Sequence, residues 1–314
     1  MGANFDEPAP PTGYPIRQVT LVEPFGAGGG PDIVARTLAN KLSQLWHQPV
    51  SVHNRPGSGS TTAPSLVANA AADGYTLLVN TSAHAYTAAA RTDLPYDPLH
   101  DFIPVAPLTT QPYVLVAGKP AGINTLGELI QAAQARPGEL TFATTGIGTA
   151  THIGLEELNL MTGISAIHIP PGSNDAISDV LAGVIRGESD YMMSPISIVE
   201  PHLRAGELTP LGISTITRSR LLPEVPTIHE AGAPGYDFPI WYGVWAPAGT
   251  PPAIIQTLSG DISAAITALD LARRLEREDA QPISMTQQRF ARFVLDEKQR
   301  AAEIIQRARA DHGC

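Results

Sequence analysis

A glycine-rich segment constrains this chain more than any other stretch. Residues 24–32 read Pro-Phe-Gly-Ala-Gly-Gly-Gly-Pro-Asp. They follow a short apolar run with β-branched residues, 16–23, which predicts a buried strand. In residues 32–45, which come next, apolar side chains recur at helical spacing. The sequence therefore predicts a strand, a glycine loop and a helix in succession.

This first loop has the properties of an anion site. Glycine tolerates positive φ and lets the backbone approach a ligand closely. The helix that follows presents unpaired N–H groups and the positive end of its dipole, which together favour a carboxylate or phosphate. A tight turn without a ligand is the alternative. The candidate ligand-binding residues here are Phe25, Ala27, Gly28, Gly29, Gly30 and Asp32.

Two nucleotide motifs fit this segment poorly. A dinucleotide fingerprint needs a third glycine where Pro31 stands, and a phosphate-binding P-loop needs a lysine, whereas the first lysine is Lys41. The chain also carries a net charge of −10, which argues against nucleic-acid partners. A local cluster of backbone donors is still compatible with an anionic ligand.

A second loop repeats this arrangement. Residues 144–152 read Thr-Thr-Gly-Ile-Gly-Thr-Ala-Thr-His, between a predicted strand, 140–144, and a predicted helix, 153–161. A threonine that only caps the helix is the alternative, although capping leaves other N–H groups for a ligand. The candidate ligand-binding residues here are Thr145, Gly148, Thr149, Thr151 and His152.

The end of a third strand adds two candidates. Residues 75–80 predict a strand in a strand–helix–strand–helix–strand series, which gives a parallel sheet. Ligands gather at the carboxyl ends of such strands, so Ser82 and His84 should lie at the rim that carries the first loop. We expect Ser82 to face the ligand. For His84 a ligand contact and a solvated loop position both stay open, and the second is favoured.

Several blocks of this sequence resemble the tripartite tricarboxylate transporter receptor family, the Bug-type or TctC-type periplasmic solute-binding proteins. The first loop is similar to the family's opening signature, and the second loop resembles its second ligand loop. Other matching blocks follow in order along the chain: residues 54–59, 73–78, 94–98 with 101–102, 222–227 and 241–251.

The resemblance implies an α/β fold with two lobes, like a type II periplasmic binding protein. Each lobe would hold a mostly parallel sheet flanked by helices, with a hinge crossed twice. The glycine and proline residues of 118–122 predict one crossing. The expected divisions are a flexible lead-in at 1–13, a first lobe at 14–117 plus 236–314, and a second lobe at 118–235.

The resemblance also implies function. We expect a monomeric receptor that closes on a small carboxylate and delivers it to integral membrane transporter subunits or a sensor kinase. It implies a periplasmic protein whose signal peptide is absent from this sequence. Ser194, at the end of a predicted strand, joins the candidate ligand-binding residues because the family places this strand end at the cleft. Residues 170–175 depart from the family's Pro-Tyr-x-Gly-Ser-Ala, which indicates a differently shaped pocket.

Two alternatives remain at this point. The ligand could be an aromatic carboxylate, such as a phthalate-like diacid, stacked on Phe25 or Trp241. The cleft could instead serve a hydrolase or transferase. The sequence contains no G-x-S-x-G, no H-E-x-x-H and no histidine cluster at metal-ligand spacing, so we expect no enzyme, cofactor or metal.

Overall fold

The computed structural model describes residues 13–28, 30–57, 61–171, 177–268, 271, 275–276 and 279–311. Most of the predicted lead-in, the candidate Gly29 and most of the divergent loop after Pro171 lie outside these residues.

Strands and helices alternate along most of the chain. The strands are β1 (Val19–Glu23), β2 (Val50–Asn54), β3 (Thr76–Thr81), β4 (Phe102–Gln111), β5 (Tyr113–Gly118), β6 (Thr141–Ala143), β7 (Ile167–Ile169), β8 (Tyr191–Pro195), β9 (Leu208–Ile213), β10 (Ile240–Pro247) and β11 (Gln281–Pro282). The helices are α1 (Gly30–Trp46), α2 (Thr62–Ala68), α3 (Ala83–Ala90), α4 (Leu126–Ala135), α5 (Ala150–Thr162), α6 (Ile177–Arg186), α7 (Ile196–Arg204), α8 (Ile228–Ala231), α9 (Pro252–Ile266) and α10 (Gln287–Asp311).

These strands form two sheets, one in each lobe. The first has the order β11-β4-β10-β3-β1-β2 and the second β7-β6-β8-β5-β9. Both sheets are mixed, whereas mostly parallel sheets were expected. The reason is that β10 pairs antiparallel with both β3 and β4, and β5 pairs antiparallel with both β8 and β9. The two-lobed α/β architecture itself is as predicted.

The first crossing between the lobes lies earlier than predicted. Strand β4 ends at Gln111 in the first sheet, and β5 begins at Tyr113 in the second. The chain therefore crosses at Pro112, and residues 113–117 belong to the second lobe. The break at 118–122 is a turn containing a 3-10 helix, Lys119–Ala121, within that lobe. An apolar run does not specify which sheet it joins, and this choice is made by pairing.

The return crossing lies just before β10. The backbone N–H of Phe238 donates to the carbonyl of Ser214, and the Ser214 hydroxyl donates to the carbonyl of Phe238 at 2.7 Å. The same hydroxyl accepts the N–H of Tyr113 at 2.9 Å. Ser214 thus joins the two crossing segments, so the two connections between the lobes are hydrogen-bonded together.

The carboxyl ends of the strands place two sets of loops at this crossing. Strands β1, β2, β3 and β4 run in one direction in the first sheet, and β6, β7, β8 and β9 in one direction in the second. Because β4 enters the crossing with its carboxyl end and β5 leaves it with its amino end, both carboxyl edges adjoin Pro112. The loops that follow these strands therefore border the space between the lobes.

Helix α10 belongs to the first lobe but packs on both. It lies against α3 and β4 of the first lobe and against α5 of the second. Its buried face includes Phe290, Val294 and Ala301. Among the described helices, none combines the length and hydrophobicity needed to cross a bilayer.

Candidate functional site

The first loop is fastened to helix α1 by Asp32. Gly28 has a φ of +86°, which glycine adopts without strain. Its N–H donates to Asp32 Oδ2 at 2.9 Å, so this amide already has a partner within the protein. Gly26 and Ala27 are exposed at the tip of the loop, and Phe25 is half-buried. Of the predicted N–H donors, Gly28 is thus engaged, while Ala27 lies at the surface.

Asp32 is buried, and its carboxylate lies beneath the first loop and supports it. Its carboxylate also accepts from Arg36 Nε and from Asn54 Nδ2, each at 2.9 Å. Burial opposes ionisation, but these hydrogen bonds together lower the pKa of Asp32 below its usual value. The sequence prediction placed Asp32 against the ligand. The structure instead turns its carboxylate to the loop, Arg36 and Asn54.

A second buried carboxyl group adjoins Asp32. Glu23 ends β1 and is fully buried, and Asn54 Nδ2 donates to its Oε1. Burial and the neighbouring charge of Asp32 raise the pKa of Glu23 to about 8. Glu23 therefore holds a proton at neutral pH, while Asp32 stays ionised because Arg36 and the Gly28 N–H stabilise its charge.

Gly30, at the start of α1, faces the end of β4. A Cβ built on Gly30 would lie 3.3 Å from the Tyr242 hydroxyl and 3.6 Å from Gln111 Oε1. Tyr242 donates this hydroxyl to Gln111 Oε1 at 2.6 Å. Gln111 is the last residue before the crossing at Pro112, so the first loop reaches the space between the lobes at this point.

The second loop is held by threonine hydroxyls. Thr149 donates to the Gly146 carbonyl at 2.7 Å and accepts the His152 N–H at 3.4 Å, which caps helix α5. Because Thr149 uses its proton there, Thr151 donates to it across 3.1 Å. Thr145 lies 3.4 Å from Thr151 and completes the row of hydroxyls. The structure thus brings three predicted residues together at one helix N-terminus.

Two imidazoles beside the second loop, those of His152 and His168, are neutral. His152 is buried, with its ring centre 4.8 Å from that of His168. Burial lowers the pKa of His152 to about 3 and that of His168 to about 4. The Gly148 N–H points to His152 Nδ1 at 3.4 Å, and Thr144 bonds His168 Nε2 at 2.7 Å. His152 therefore supports the second loop through its contact with the Gly148 N–H, and it offers no positive charge to an anionic ligand.

Ser82 and His84 lie within the first lobe. The Ser82 hydroxyl is buried without a hydrogen-bond partner among the described residues, at the N-terminus of α3. His84 is only 2% exposed and packs against Phe102 and Trp245, which excludes the solvated loop position. Its Nε2 bonds the carbonyl of Pro98 at 3.0 Å. His84 is a core residue of the first lobe.

Ser194 and Trp241 are also buried. Ser194 lies in β8, opposite Val114 of β5, and its hydroxyl makes a 3.3 Å contact with the Pro195 carbonyl. Trp241 packs against Phe290 and Phe293 and donates its indole N–H to a glutamate of α10. Trp241 is only 2% exposed, so its ring has no free face for a stacked aromatic ligand.

The second loop touches the first lobe directly. A Cβ built on Gly148 would lie 2.6 Å from the Ala90 Cβ and 3.7 Å from the Thr87 Cα, both on α3. Gly148 also has a φ of +80°. The missing side chain thus allows close approach of the two lobes beside α3, and the two loops border the same interlobe space.

Sequence reasoning missed the residues that support the loops. The roles of Glu23, Gln111 and Tyr242 were not predicted, because each depends on a neighbour distant in the sequence. Arg36 was missed although its partner Asp32 is only four residues away. Asn54 was recognised only as part of a matching block, 54–59. That block was the available signal, since its first residue pairs with the strand that precedes the first loop. Within the described part of the chain, no cluster of three or more histidine, cysteine or acidic residues could hold a metal ion.

Comparisons with known proteins identify the family of this chain. The family profile described as the tripartite tricarboxylate transporter family receptor matches residues 34–309. BugT of Bordetella pertussis is 35% identical over 295 residues, which cover 93% of this chain and 89% of BugT.

Two solved structures with ligands have the same fold. Rpa4515 of R. palustris, solved with adipate, is 33% identical with a TM-score of 0.84, over 94% of this chain and 98% of that protein. MatC of Rhodopseudomonas palustris, solved with bound malate, is 32% identical with a TM-score of 0.80, over 93% of this chain and 100% of that protein. This chain belongs to the tripartite tricarboxylate transporter receptor family, whose members are solute-binding receptors and not enzymes.

Proposed function

We propose that this chain is an extracytoplasmic receptor that captures a small aliphatic dicarboxylate between its lobes. It would deliver the ligand to the membrane subunits of a tripartite tricarboxylate-type transporter or to a sensor kinase. The carrying observation is the pair of glycine loops, one per lobe, that border the same interlobe space. Each precedes a helix N-terminus, where free N–H groups favour a carboxylate.

The second loop provides the better-defined half of the site. In the described part of the chain, the N–H groups of Ala150 and Thr151 have no protein acceptor, as is usual in the first turn of a helix. The hydroxyls of Thr145 and Thr149 lie beside them. A carboxylate oxygen would accept from the two N–H groups and from the Thr145 hydroxyl, because the protons of Thr149 and Thr151 are already donated within the loop. Ordered water would bridge the longer distances.

The first loop would contribute its exposed tip and the start of α1. Because Asp32 already occupies the Gly28 N–H, we remove this amide from the proposed donors and retain Ala27 and Gly30. Phe25, half-buried at the same loop, would contact the carbon chain of the ligand. His84 lies in the core and is not among the proposed ligand contacts. Asp32 and His152 support the loops and do not contact the ligand in this proposal.

An aliphatic ligand is favoured over an aromatic one. Adipate and malate, which the two solved relatives bind, are both aliphatic dicarboxylates. An aromatic acid would require a free ring face, and Trp241 offers none because it is packed in the core. Phe25 alone remains for such stacking. The hydrolase or transferase alternative is abandoned, since the family consists of receptors.

A periplasmic location and a monomeric state complete the proposal. The location is supported by the family, whose members include a solved periplasmic binding protein, BugD, that is 26% identical to this chain. A receptor of this kind would close by hinge motion about the crossings at Pro112 and Phe238.

The direct test is a thermal-shift screen followed by calorimetric titration. The panel would contain adipate, malate, other aliphatic di- and tricarboxylates, acidic amino acids and phthalate. Ligand at about 100 times its dissociation constant adds about 2.7 kcal/mol to the stability of the folded state, a readily measured rise in melting temperature. A shift with an aliphatic dicarboxylate is expected. No shift with any carboxylate would overturn the proposal, and a phthalate-only shift would overturn its aliphatic part.

A pair of matched variants tests whether the ligand binds at the second loop. Thr145→Val removes a hydroxyl beside the N-terminus of α5, whereas Thr162→Val makes the same change at the other end of the helix, where the hydroxyl donates to the Leu158 carbonyl. We expect a higher dissociation constant for Thr145→Val only. Equal affinities of both variants and the parent protein would exclude the Thr145 hydroxyl from the site.

A further inference from the structure

Glu23 occupies an unusual position beneath the first loop. It is the last residue of β1, directly before Pro24, and is fully buried. In the parallel pairing of β1 with β2 its partner is Asn54. Its Oε1 accepts from Asn54, while its Oε2 has no hydrogen-bond partner among the described residues. A buried carboxyl group with one free oxygen is unfavourable as an anion.

Asn54 connects Glu23 to the loop. Its Nδ2 contacts three acceptors: Glu23 Oε1, the Phe25 carbonyl at 3.2 Å and Asp32 Oδ1 at 2.9 Å. Its Oδ1 accepts from Arg36 Nη2 at 2.8 Å, which fixes the orientation of the amide. Since Nδ2 carries two hydrogens, the three acceptors share them. A change of charge on one acceptor therefore redistributes the bonds to the other two.

The charges beneath the loop balance only when Glu23 is neutral. Asp32 contributes one negative charge and Arg36 one positive charge, and they are paired at 2.9 Å. A protonated Glu23 leaves the group neutral, and an ionised Glu23 makes it negative. An added negative charge close beneath an anion-binding loop opposes the binding of a carboxylate.

Asp32 and Arg36 of α1 are the charged groups that act on Glu23. His53, in β2, and Arg55, directly after β2, flank Asn54 with exposed side chains. Strand β3 pairs with β1, and α2 packs against β1; neither element contains a titratable residue. No neighbouring cation other than Arg36 thus offsets an ionised Glu23 in the described structure.

We propose that the protonated carboxyl of Glu23 is a positioning element of the ligand site, and that loss of its proton weakens carboxylate capture. The inference deepens the proposed function and rests on it. Ionised Glu23 would draw the Asn54 amide to itself and repel Asp32. The Phe25 carbonyl and the Asp32 carboxylate would then lose their shared donor, and Asp32 would hold the Gly28 N–H less firmly. Burial and Asp32 raise the pKa of Glu23 to about 8, so the effect falls in the mildly alkaline range.

The test is a pH series of calorimetric titrations with adipate and with malate, from about pH 6 to about pH 9.5, spanning the Glu23 transition. Both probes are mostly ionised at about pH 6 and fully ionised from about pH 7.5, and this change in probe charge is the same for every variant compared. For the parent protein we expect the dissociation constant to rise about tenfold, as one added charge roughly 10 Å away predicts at an effective dielectric constant of about 20. Glu23→Gln, which stays neutral, should bind with a nearly constant affinity. Glu224→Gln, at an exposed position, should behave like the parent protein.

The outcomes separate the inference from the proposed function. If the parent protein binds neither probe nor any other carboxylate at pH 6, the proposed function fails and the inference falls with it. If it binds one and Glu23→Gln retains the parent's pH dependence, the inference alone is wrong. A flat affinity profile in the parent protein would contradict it equally.

A ligand-free measurement checks the protonation state. Because Glu23 holds its proton up to about pH 8 in the folded protein but only to about pH 4.5 when unfolded, its contribution to stability declines as pH rises through this window. The melting temperature of Glu23→Gln relative to the parent should therefore increase from about pH 5 to about pH 9. A constant difference would show that Glu23 is already ionised in the folded state, and would overturn the inference.

Discussion

Arg300 of helix α10 and Glu157 of helix α5 form a two-pronged ion pair between the lobes. Arg300 Nη2 lies 2.9 Å from Glu157 Oε1 and 2.8 Å from Glu157 Oε2. The same nitrogen donates to the carbonyl of Asp237, just before the return crossing to the first lobe. One arginine thus contacts the second lobe and a segment that connects it to the first.

Loss of this ion pair should destabilise the protein measurably. Arg300→Met leaves Glu157 largely buried and unpaired, so we expect a loss of about 1–3 kcal/mol, between the values for exposed and buried pairs. Urea unfolding measures this change. The double variant Arg300→Met with Glu157→Met should recover part of the loss, because Glu157 no longer leaves an unpaired charge, while Glu297, 3.7 Å from Arg300, loses its cation in both variants. A double variant as unstable as the sum of the single variants would show that the two residues do not interact.

Gly148 is expected to control the approach of the lobes. Gly148→Ala adds strain at positive φ and places a Cβ against Ala90. Gly138→Ala is the matched control, since Gly138 has a φ of +74° but nothing within 4 Å of the new Cβ. Both variants should lose about 1 kcal/mol of stability from backbone strain. Calorimetry with adipate or malate should show weaker binding for Gly148→Ala alone; equal binding by both variants would mean that this contact has no part in capture.

Thr149 should act through its hydroxyl. Thr149→Val keeps the shape of the side chain but removes the cap of α5 and the bond to the Gly146 carbonyl, at a cost of about 0.5–2 kcal/mol. Thr149→Ser keeps both bonds and should be nearly as stable as the parent protein. Denaturant unfolding compares the two variants. A valine variant no less stable than the serine variant would contradict a role for the hydroxyl, because the valine variant lacks only the hydroxyl and the serine variant lacks only the methyl group.

His84 should make the fold sensitive to acid. Burial lowers its pKa to about 4, so the unfolded chain takes up this proton at higher pH than the folded protein. Stability contributed by neutral His84 is therefore complete above its unfolded pKa of 6.5 and declines as pH falls towards 4. At about pH 5 the expected loss from this residue is roughly 2 kcal/mol.

A substitution isolates this effect from other titrating groups. His84→Phe cannot take up a proton, so its free energy of unfolding should fall less than that of the parent protein between about pH 7.5 and about pH 5. Chemical unfolding at both values gives the comparison. Equal losses would mean that His84 is not kept neutral by its aromatic surroundings.

The loops and the fold class were predictable because they depend on local sequence. Each glycine loop lies between an apolar run and a helical periodicity, and Thr149 stands where a helix cap is expected. The roles of individual side chains were less predictable. His84 follows a strand end that borders the cleft, yet it packs against Phe102 and Trp245, which the sequence gives no means of placing beside it.

The first lobe boundary shows the same limit. Residues 113–117 have an apolar pattern that would suit either sheet, and only pairing with β8 and β9 assigns them to the second lobe. The position of Asp32 was also misjudged from the sequence. Its place in the first loop predicted a ligand contact, whereas Arg36 and Asn54 hold its carboxylate beneath the loop.

The sequence by itself thus determined the two strand–glycine loop–helix units, the α/β class and the resemblance to a receptor family, since these follow from neighbouring residues and their spacing. Only the tertiary structure decided which sheet each strand joins, which polar groups support the loops, and which lobes Arg300 and Glu157 connect. These features arise between residues far apart in the chain, where burial and pairing, rather than local propensity, set the free energy.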